Sequence, residues 1–379
     1  MMEVQFTLEK QSYDCAARTG MLHTGHGIIH TPVFMPVGTA GAVKALQHRD
    51  LRECIHASII LGNTYHLYLR PGMEVLEKAG GLHSFIHWDR PILTDSGGYQ
   101  VYSLSERRKI ESGGVWFYSH IDGSKHLFTP ENVVDIQRTF GSDIMMALDE
   151  CPPYPCDRKY AQKSLDLTHR WLEMGYHRFK TTEPKYGHKQ CFVPIAQGSV
   201  YDDLREKSYQ VIQQFESPIY AIGGLSVGEP ETDLNRLVEL AGKVLPKNKA
   251  RYLMGVGTPK NLLEAIERGI DMFDCVLPTR NARHGILYTT QGILHIRNAK
   301  WKEDMGPIDP GLTLDTSFQH SKAYLRHLFF AGEMLASTLA SLQNLRFYTW
   351  LMEEARKHIV NNNYKSWKEE ILPVIHRKL

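Results

Sequence analysis

Seven short apolar runs, separated by stretches of helical period and mostly stopping on a polar side chain or a glycine, constrain this chain more than any other feature. In order they are SIILGN ending at Asn63, PILTD at Asp95, DIMMALD at Asp149, FVPIAQ at Gln197, IYAIGG at Gly224, RYLMG at Gly255 and MFDCV around Asp274. Each is too short for a helix and too continuously apolar for a sheet with one wet face. They read as parallel strands buried on both sides. The segments between them carry helix signals. Thr129-Pro130-Glu131 places a cap residue before a proline and an acid of the first turn. Residues 157 to 176 set Tyr160, Leu165, Leu167, Trp171 and Leu172 among charges, and Pro259 to Arg268 carries Leu262, Leu263 and Ile266 ahead of Gly269 as a C-cap.

Alternation of this kind gives an open doubly wound sheet or a closed barrel, and both present functional groups at the carboxyl ends of their strands. Neither a GxGxxG fingerprint nor a P-loop motif follows the first strand, which speaks against the nucleotide-binding open sheets. The expected fold is therefore α/β of the TIM-barrel type. A barrel of roughly 250 residues leaves room for additions in this chain. From about residue 318 the pattern turns to almost continuous helix, with Tyr324, Leu325, Leu328, Phe329, Leu339, Leu342, Phe347 and Trp350 on its apolar positions. The expected division is a catalytic barrel with N-terminal additions over 1–304 and a helical C-terminal subdomain over 305–379.

Six cysteines without a CxxC pair argue for reduced thiols rather than a disulfide framework. Glu3 and Glu9 interrupt the start where a secretory signal would be apolar, and no run approaches the roughly 20 apolar residues of a membrane span. A cytoplasmic protein with no membrane partner is expected. A net charge of +2 announces no nucleic-acid binder, so local clusters must carry that role: Arg280, Arg283 and His284, then Arg297, Lys300 and Lys302. Such clusters are often no more than solvated faces.

Asp95 and Asp274 end separate strands, and a closed barrel would aim both into one mouth. Two carboxylates facing one pocket suit glycosidic exchange, one attacking the anomeric carbon while the other handles the leaving group's proton. Either alone could equally cap the next helix. The Gly97-Gly98 pair after Asp95 would let a ligand approach the backbone closely.

TDSGGYQVYSL, ALDEC, QGS, IGGLSVGE, LMGVGTP and FDCVLPTRNARHG, standing in that order, resemble the bacterial-type tRNA-guanine transglycosylase family. The likeness runs from FMPVGTAGAVKAL to NLRFYTWLMEEAR, nearly the whole chain. It implies a (β/α)8 barrel that replaces guanine at the wobble position of tRNA with a GUN anticodon by a 7-deazaguanine, through a covalent aspartyl-ribose intermediate. Asp274 would be the nucleophile and Asp95 the general acid and base. Asp149 and Gln197 would read the base, helped by the backbone of Gly224 and Leu225, between Tyr99 and Met254. Met254 alone would read as core filler. Arg280 and Arg283 would hold the flanking uridines and phosphates. Val227 and Cys151 would leave little room for a cyclopentenediol arm, so the small base preQ1 (7-aminomethyl-7-deazaguanine) is expected over queuine.

Members of the family usually carry a CxCxxC cluster and a later histidine that hold a structural zinc and help to form a dimer. Here Leu312, Leu314, Ser317 and Gln343 stand at those positions. Leucine cannot ligate zinc, and serine and glutamine are not usual ligands. No metal cofactor is expected, with Leu312 and Leu314 turned inward, Gln343 hydrogen-bonded from its helix, and His320 and His327 as helix or interface residues. A homodimer would persist only if Tyr324, His327, Phe329 and their neighbours still offer a matching apolar surface. The alternatives are a non-catalytic tRNA-binding subunit, a homologue that uses queuine or modifies another nucleic acid, and an unrelated nucleoside hydrolase.

Overall fold

A computed structural model describes residues 3–104 and 108–379. The chain opens with an antiparallel sheet of β1 (Gln5–Gln11), β2 (Arg18–Thr24) and β3 (Gly27–Thr31). Next come β4 (Val33–Met35) and β5 (Val37–Gly38), then β6 (Ile60–Gly62) and β7 (Ile92–Thr94). A second antiparallel sheet follows, made of β8 (Arg108–Glu111), β9 (Gly114–Tyr118) and β10 (Lys125–Phe128). The series continues with β11 (Ile144–Met146), β12 (Cys191–Val193), β13 (Ile195–Ala196), β14 (Ile219–Ile222), β15 (Ala250–Leu253) and β16 (Met272–Asp274). A hairpin of β17 (Ile286–Thr289) and β18 (Gly292–His295) leads into the C-terminal helices.

Two five-stranded parallel sheets carry the site, in the orders β12-β11-β7-β6-β5 and β13-β14-β15-β16-β4. Their end strands are consecutive pieces of chain. Only Pro36 separates β4 from β5, and only Pro194 separates β12 from β13. Proline has no N–H to give a ladder, yet the carbonyls of Pro36 and Pro194 still accept from Leu61 and Ala221.

The burial pattern explains why the strands read as unbroken apolar runs. Met35, Leu61, Leu93, Ile144, Met146, Val193, Ile195, Ala221, Tyr252 and Met272 gather in one core. Their neighbours Phe34, Ile60, Ile92, Met145, Phe192, Ala196, Ile222, Leu253 and Phe273 belong to a second core shared with the helices. Side chains alternate across a strand, so both faces are dry. Phe6, Leu22 and Ile29 of the first antiparallel sheet join the strand-enclosed core.

The crossover helices begin as their caps require. Thr129 accepts from the Asn132 N–H ahead of the helix Pro130–Phe140, and Asp157 accepts from Tyr160 ahead of Arg158–Thr181, which runs past the expected end at 176. Gly269 lies one residue beyond the cap of Pro259–Glu267, with a φ of +87° that suits glycine. The C-terminal stretch forms the helices Asp315–Gln319, Lys322–Ala331, Met334–Val360 and Tyr364–His376. The longest is tied to the parallel strands and their loops: Tyr348 donates to the Gly257 carbonyl, Thr349 to Ile55 and Asn344 to Pro278. Phe329 corrects one expectation, because it is buried while Phe330 beside it is exposed. No described helix is long and apolar enough to cross a membrane.

Candidate active site

Asp95 follows β7 directly, and the turn behind β6 grips it. Its Oδ1 accepts from the Thr64 N–H at 2.8 Å and the Gly97 N–H at 3.1 Å, while Asn63 donates to Oδ2 at 2.5 Å. The side chain stays partly open to the pocket, but the protein encloses it enough to disfavour its charge. Burial, opposed by the Thr64 hydrogen bond and reinforced by the charges of Asp274 and Asp149, lifts its pKa to about 7.

Asp149 lies three residues beyond β11. Gln197, one residue past β13, donates Nε2–H to Asp149 Oδ2 at 2.7 Å, and Ser96 reaches Oδ1 at 3.4 Å. Burial, partly offset by those two bonds, pushes Asp149 up to about 6. Gln197 Oε1 is buried without a hydrogen-bond partner among the described residues. Gly224 must be glycine here: its φ is +64° and a Cβ would stand 2.1 Å from Gln197 Oε1. A Cβ on Gly98 would likewise meet the Asp149 carbonyl at 2.7 Å.

Asp274 closes β16. Tyr252 donates its hydroxyl to Oδ1 at 2.7 Å and the Gly255 N–H adds a bond at 2.9 Å. Burial raises its pKa, with both bonds opposing. Asp95, Asp149 and Asp274 thus sit at the carboxyl ends of β7, β11 and β16, close enough for Asp95 to feel the charges of the other two. Tyr99 lies on the helix Gly98–Leu104, about half exposed, and Met254 follows β15, half-buried against the strand-enclosed core. Cys151 is two residues past Asp149, and burial pushes its thiol up to about 12, which keeps it neutral. Leu225 buries its side chain, leaving the peptide at Gly224 as the polar group at that position.

A family model described as queuine tRNA-ribosyltransferase matches residues 14–376. A protein of that name from Aquifex aeolicus (strain VF5) is 52% identical over 376 residues, covering 97% of this chain and 98% of its own length. This chain belongs to the queuine tRNA-ribosyltransferase family. A relative of the same name from Thermoanaerobacter sp. (strain X514) is 51% identical over 370 residues, with 98% and 97% of the two chains covered. Another, from Nitratidesulfovibrio vulgaris (strain DP4), is 52% identical over 362 residues, with 96% and 95% covered.

Membership raises the question of the family's zinc site, and the residues present do not fit it. Leu312 and Leu314 are buried, and Ser317 and Gln343 are fully enclosed. Ser317 donates to Gln343 Oε1 at 2.5 Å, and Gln343 Nε2 donates to the Tyr288 carbonyl at 2.9 Å and Asp309 Oδ2 at 3.2 Å. Asp309 in turn accepts from Thr290. The four positions offer no thiolate or imidazole. They form an apolar and hydrogen-bonded clasp between the loop, the β17–β18 hairpin and the long helix. Gln343 bonds from its helix, fully buried, to the Ser317 and Asp309 side chains and to the Tyr288 carbonyl.

Arg280 is exposed and Arg283 half-buried on the helix Leu277–Arg283, one turn beyond Asp274, with Arg283 donating to the Thr279 carbonyl at 2.9 Å. Sequence reading missed the residues that hold the pocket in shape. Asn63 orients Asp95 and Tyr252 orients Asp274. Arg205, fully buried, donates to the carbonyls of Ser199 (2.8 Å), Gly223 (2.7 Å) and Gly224 (3.0 Å), so one guanidinium fork fixes the loops after β13 and β14. Glu229 accepts from the N–H groups of Ser226 and Val227 and fixes the next turn.

Proposed function

We propose that this family member is a tRNA-guanine transglycosylase that exchanges the wobble guanine of tRNA bearing a GUN anticodon for preQ1 by double displacement. Asp274 Oδ attacks ribose C1′ as the C1′–N9 bond breaks, and Asp95 delivers a proton to the departing guanine. The incoming deazaguanine then returns its N9 proton to Asp95 and displaces Asp274 from C1′, restoring both carboxyl groups. Retention follows from two inversions.

The observation that carries this reading is the unequal treatment of two neighbouring carboxyls. Asp95 is held near 7, where it can both give and take a proton at neutral pH. Both lone-pair directions of its Oδ1 are taken by backbone N–H groups, so the proton belongs on Oδ2. Asp274 keeps a hydroxyl and an amide donor on its carboxylate, which favours the charged nucleophile. Asp149 would accept from guanine N1–H and N2–H, and the Gln197 amide would face O6 and N7, each giving up the bond it now makes to the other. The Gln197 Nε2–H, which now donates to Asp149 Oδ2, supports this reading as the donor that would turn to O6. Tyr99 and Met254 would stack on either face of the flipped base, which repays part of the unstacking cost, and Arg280 and Arg283 would hold the flanking phosphates.

The frame fits a single closed (β/α)8 barrel over residues 1–304, because the two parallel sheets are continuous through Pro36 and Pro194, with 305–379 as the helical addition. Exposed Phe318, Tyr324, Phe330, Met334 and Leu335 support an apolar surface for a second copy. A tRNA substrate and cysteines without a CxxC pair support a cytoplasmic location. Incubating purified protein with tRNA and labelled guanine tests the reading. Stable incorporation into tRNA is expected, whereas base release without exchange would mark a hydrolase and no turnover a binding subunit.

A further inference from the structure

At the opposite end of the parallel strands, where β7, β11 and β12 begin, a second cluster of chemistry-bearing side chains takes no part in the proposed exchange. Asp143 precedes β11, is fully buried, and accepts the Ile92 N–H on Oδ2 at 2.9 Å. His26, in the turn between β2 and β3, has Nδ1 2.8 Å from Asp143 Oδ1. His188, in the segment entering β12, donates Nε2–H to the Gly141 carbonyl at 2.9 Å. A carbonyl only accepts, so Nδ1 is the lone-pair nitrogen of a neutral His188. The His26 and His188 rings meet edge-on with centroids 4.4 Å apart. One ligand atom from each of His26, Asp143 and His188 lies within 4.8 Å of the others.

We propose that His26, Asp143 and His188 form a binding site for a divalent transition cation of the zinc class. Two imidazoles and a carboxylate are the donor set such borderline cations take, and three protein ligands leave a fourth position for water. A tetrahedron with ligand bonds of about 2.0–2.1 Å has edges of about 3.3 Å, so the present spacing closes on a cation by side-chain adjustment. The His26 side chain is 23% exposed, which opens that side of the cluster to solvent. His83 completes the surroundings as an outer partner. It stacks on His26 with centroids 3.7 Å apart, and its Nε2 lies 3.3 Å from Asp143 Oδ2 and 3.2 Å from the Arg90 carbonyl. Second-layer groups of this kind orient ligands and hold a carboxylate in place. A bound cation would pin the β2–β3 turn to the starts of β11 and β12. The proposal is independent of the exchange chemistry, and the site is separate from the segment that holds Leu312, Leu314, Ser317 and Gln343.

The test uses the full chain, stripped with a chelator, dialysed and titrated with Co²⁺ and then Zn²⁺. One Co²⁺ per chain is expected, with the visible absorption of a four- or five-coordinate site, displaced by an equivalent of Zn²⁺. His26→Ala and His188→Ala should each weaken binding at least tenfold while the metal-free circular dichroism and Tm stay near wild type. Asp143→Asn is a poorer probe because Asp143 also anchors Ile92. His320→Ala with His327→Ala should leave binding unchanged. Absence of saturable binding, or one-to-one binding that both imidazole variants retain, would overturn the assignment.

Discussion

Asp95→Asn separates the cost of charging this carboxyl from everything else in the pocket. Raising its pKa from 3.8 to about 7 penalises the ionised folded form by roughly 4 kcal/mol, at about 1.4 kcal/mol per tenfold in proton affinity. Partial exposure of the side chain reduces that to on the order of 2–4 kcal/mol. The folded value lies above the unfolded one, so the stability contributed by protonated Asp95 is complete below 3.8, is lost as pH rises toward 7, and is level beyond it. An asparagine has no charge to penalise. Its amide would, however, set an NH₂ against the Asn63 NH₂ that now donates to Oδ2, at a cost of about 1 kcal/mol. Urea unfolding of both proteins at pH 5 and pH 8 should therefore show the variant gaining about 2 kcal/mol on wild type between the two. Exchange activity should fall by at least about 10²-fold, the usual weight of a positioned general acid. A difference in stability that stays flat with pH would mean that Asp95 ionises normally in the folded protein and cannot hold the proton the mechanism assigns to it.

Three further outcomes are expected. Arg205→Lys keeps the charge but loses the fork that braces Gly223 and Gly224, so KM for guanine should rise about tenfold, equivalent to about 1.4 kcal/mol, with kcat changed much less; an equal loss in both would place Arg205 in the chemical step. Gln343→Ala strips the Ser317 hydroxyl and the Tyr288 carbonyl of their Gln343 bonds and removes one of several donors to Asp309, and should cost about 2–4 kcal/mol of unfolding free energy, while in the His188→Ala background a chelator should alter neither Tm nor exchange; a chelator-sensitive Tm there would show that this segment holds a metal after all. In a competition assay preQ1 should outpace queuine because Val227 and Cys151 crowd the position of the larger side arm, and equal incorporation would refute this, the relatives' shared name notwithstanding.

The parallel strands were legible because both of their faces are dry, which makes a strand such as Ile144–Met146 wholly apolar and ends it against a polar pocket. That ending also drew out Asp95 and Asp274 as a candidate pair, whereas Asp149 and Gln197 took their expected roles from the family resemblance. The strand through Val33–Met35 and Val37–Gly38 escaped notice, since Pro36 divides it and it stops on a glycine. The short antiparallel strands escaped for a related reason: Arg108–Glu111 is exposed throughout and carries no alternation to read. Arg205 looks in sequence like any charge on an amphipathic helix. Its role comes from carbonyls of two loops that only the fold brings to it, and the same holds for His26, His83 and His188 around Asp143. The replacement of the zinc ligands was readable as a loss, but not the hydrogen-bonded clasp, because Asp309 and Tyr288 lie outside the motif.

If Asp274 bonds covalently to the ribose of tRNA, denaturing electrophoresis of quenched reactions reveals the adduct. Wild-type protein mixed with tRNA and a guanine analogue that cannot complete the second displacement should give a denaturation-resistant protein–tRNA band. Asp274→Asn, which keeps the shape and the Tyr252 hydrogen bond but not the nucleophile, should give none and should exchange no guanine. A normal adduct yield from Asp274→Asn would move the nucleophile to another residue and contradict the account.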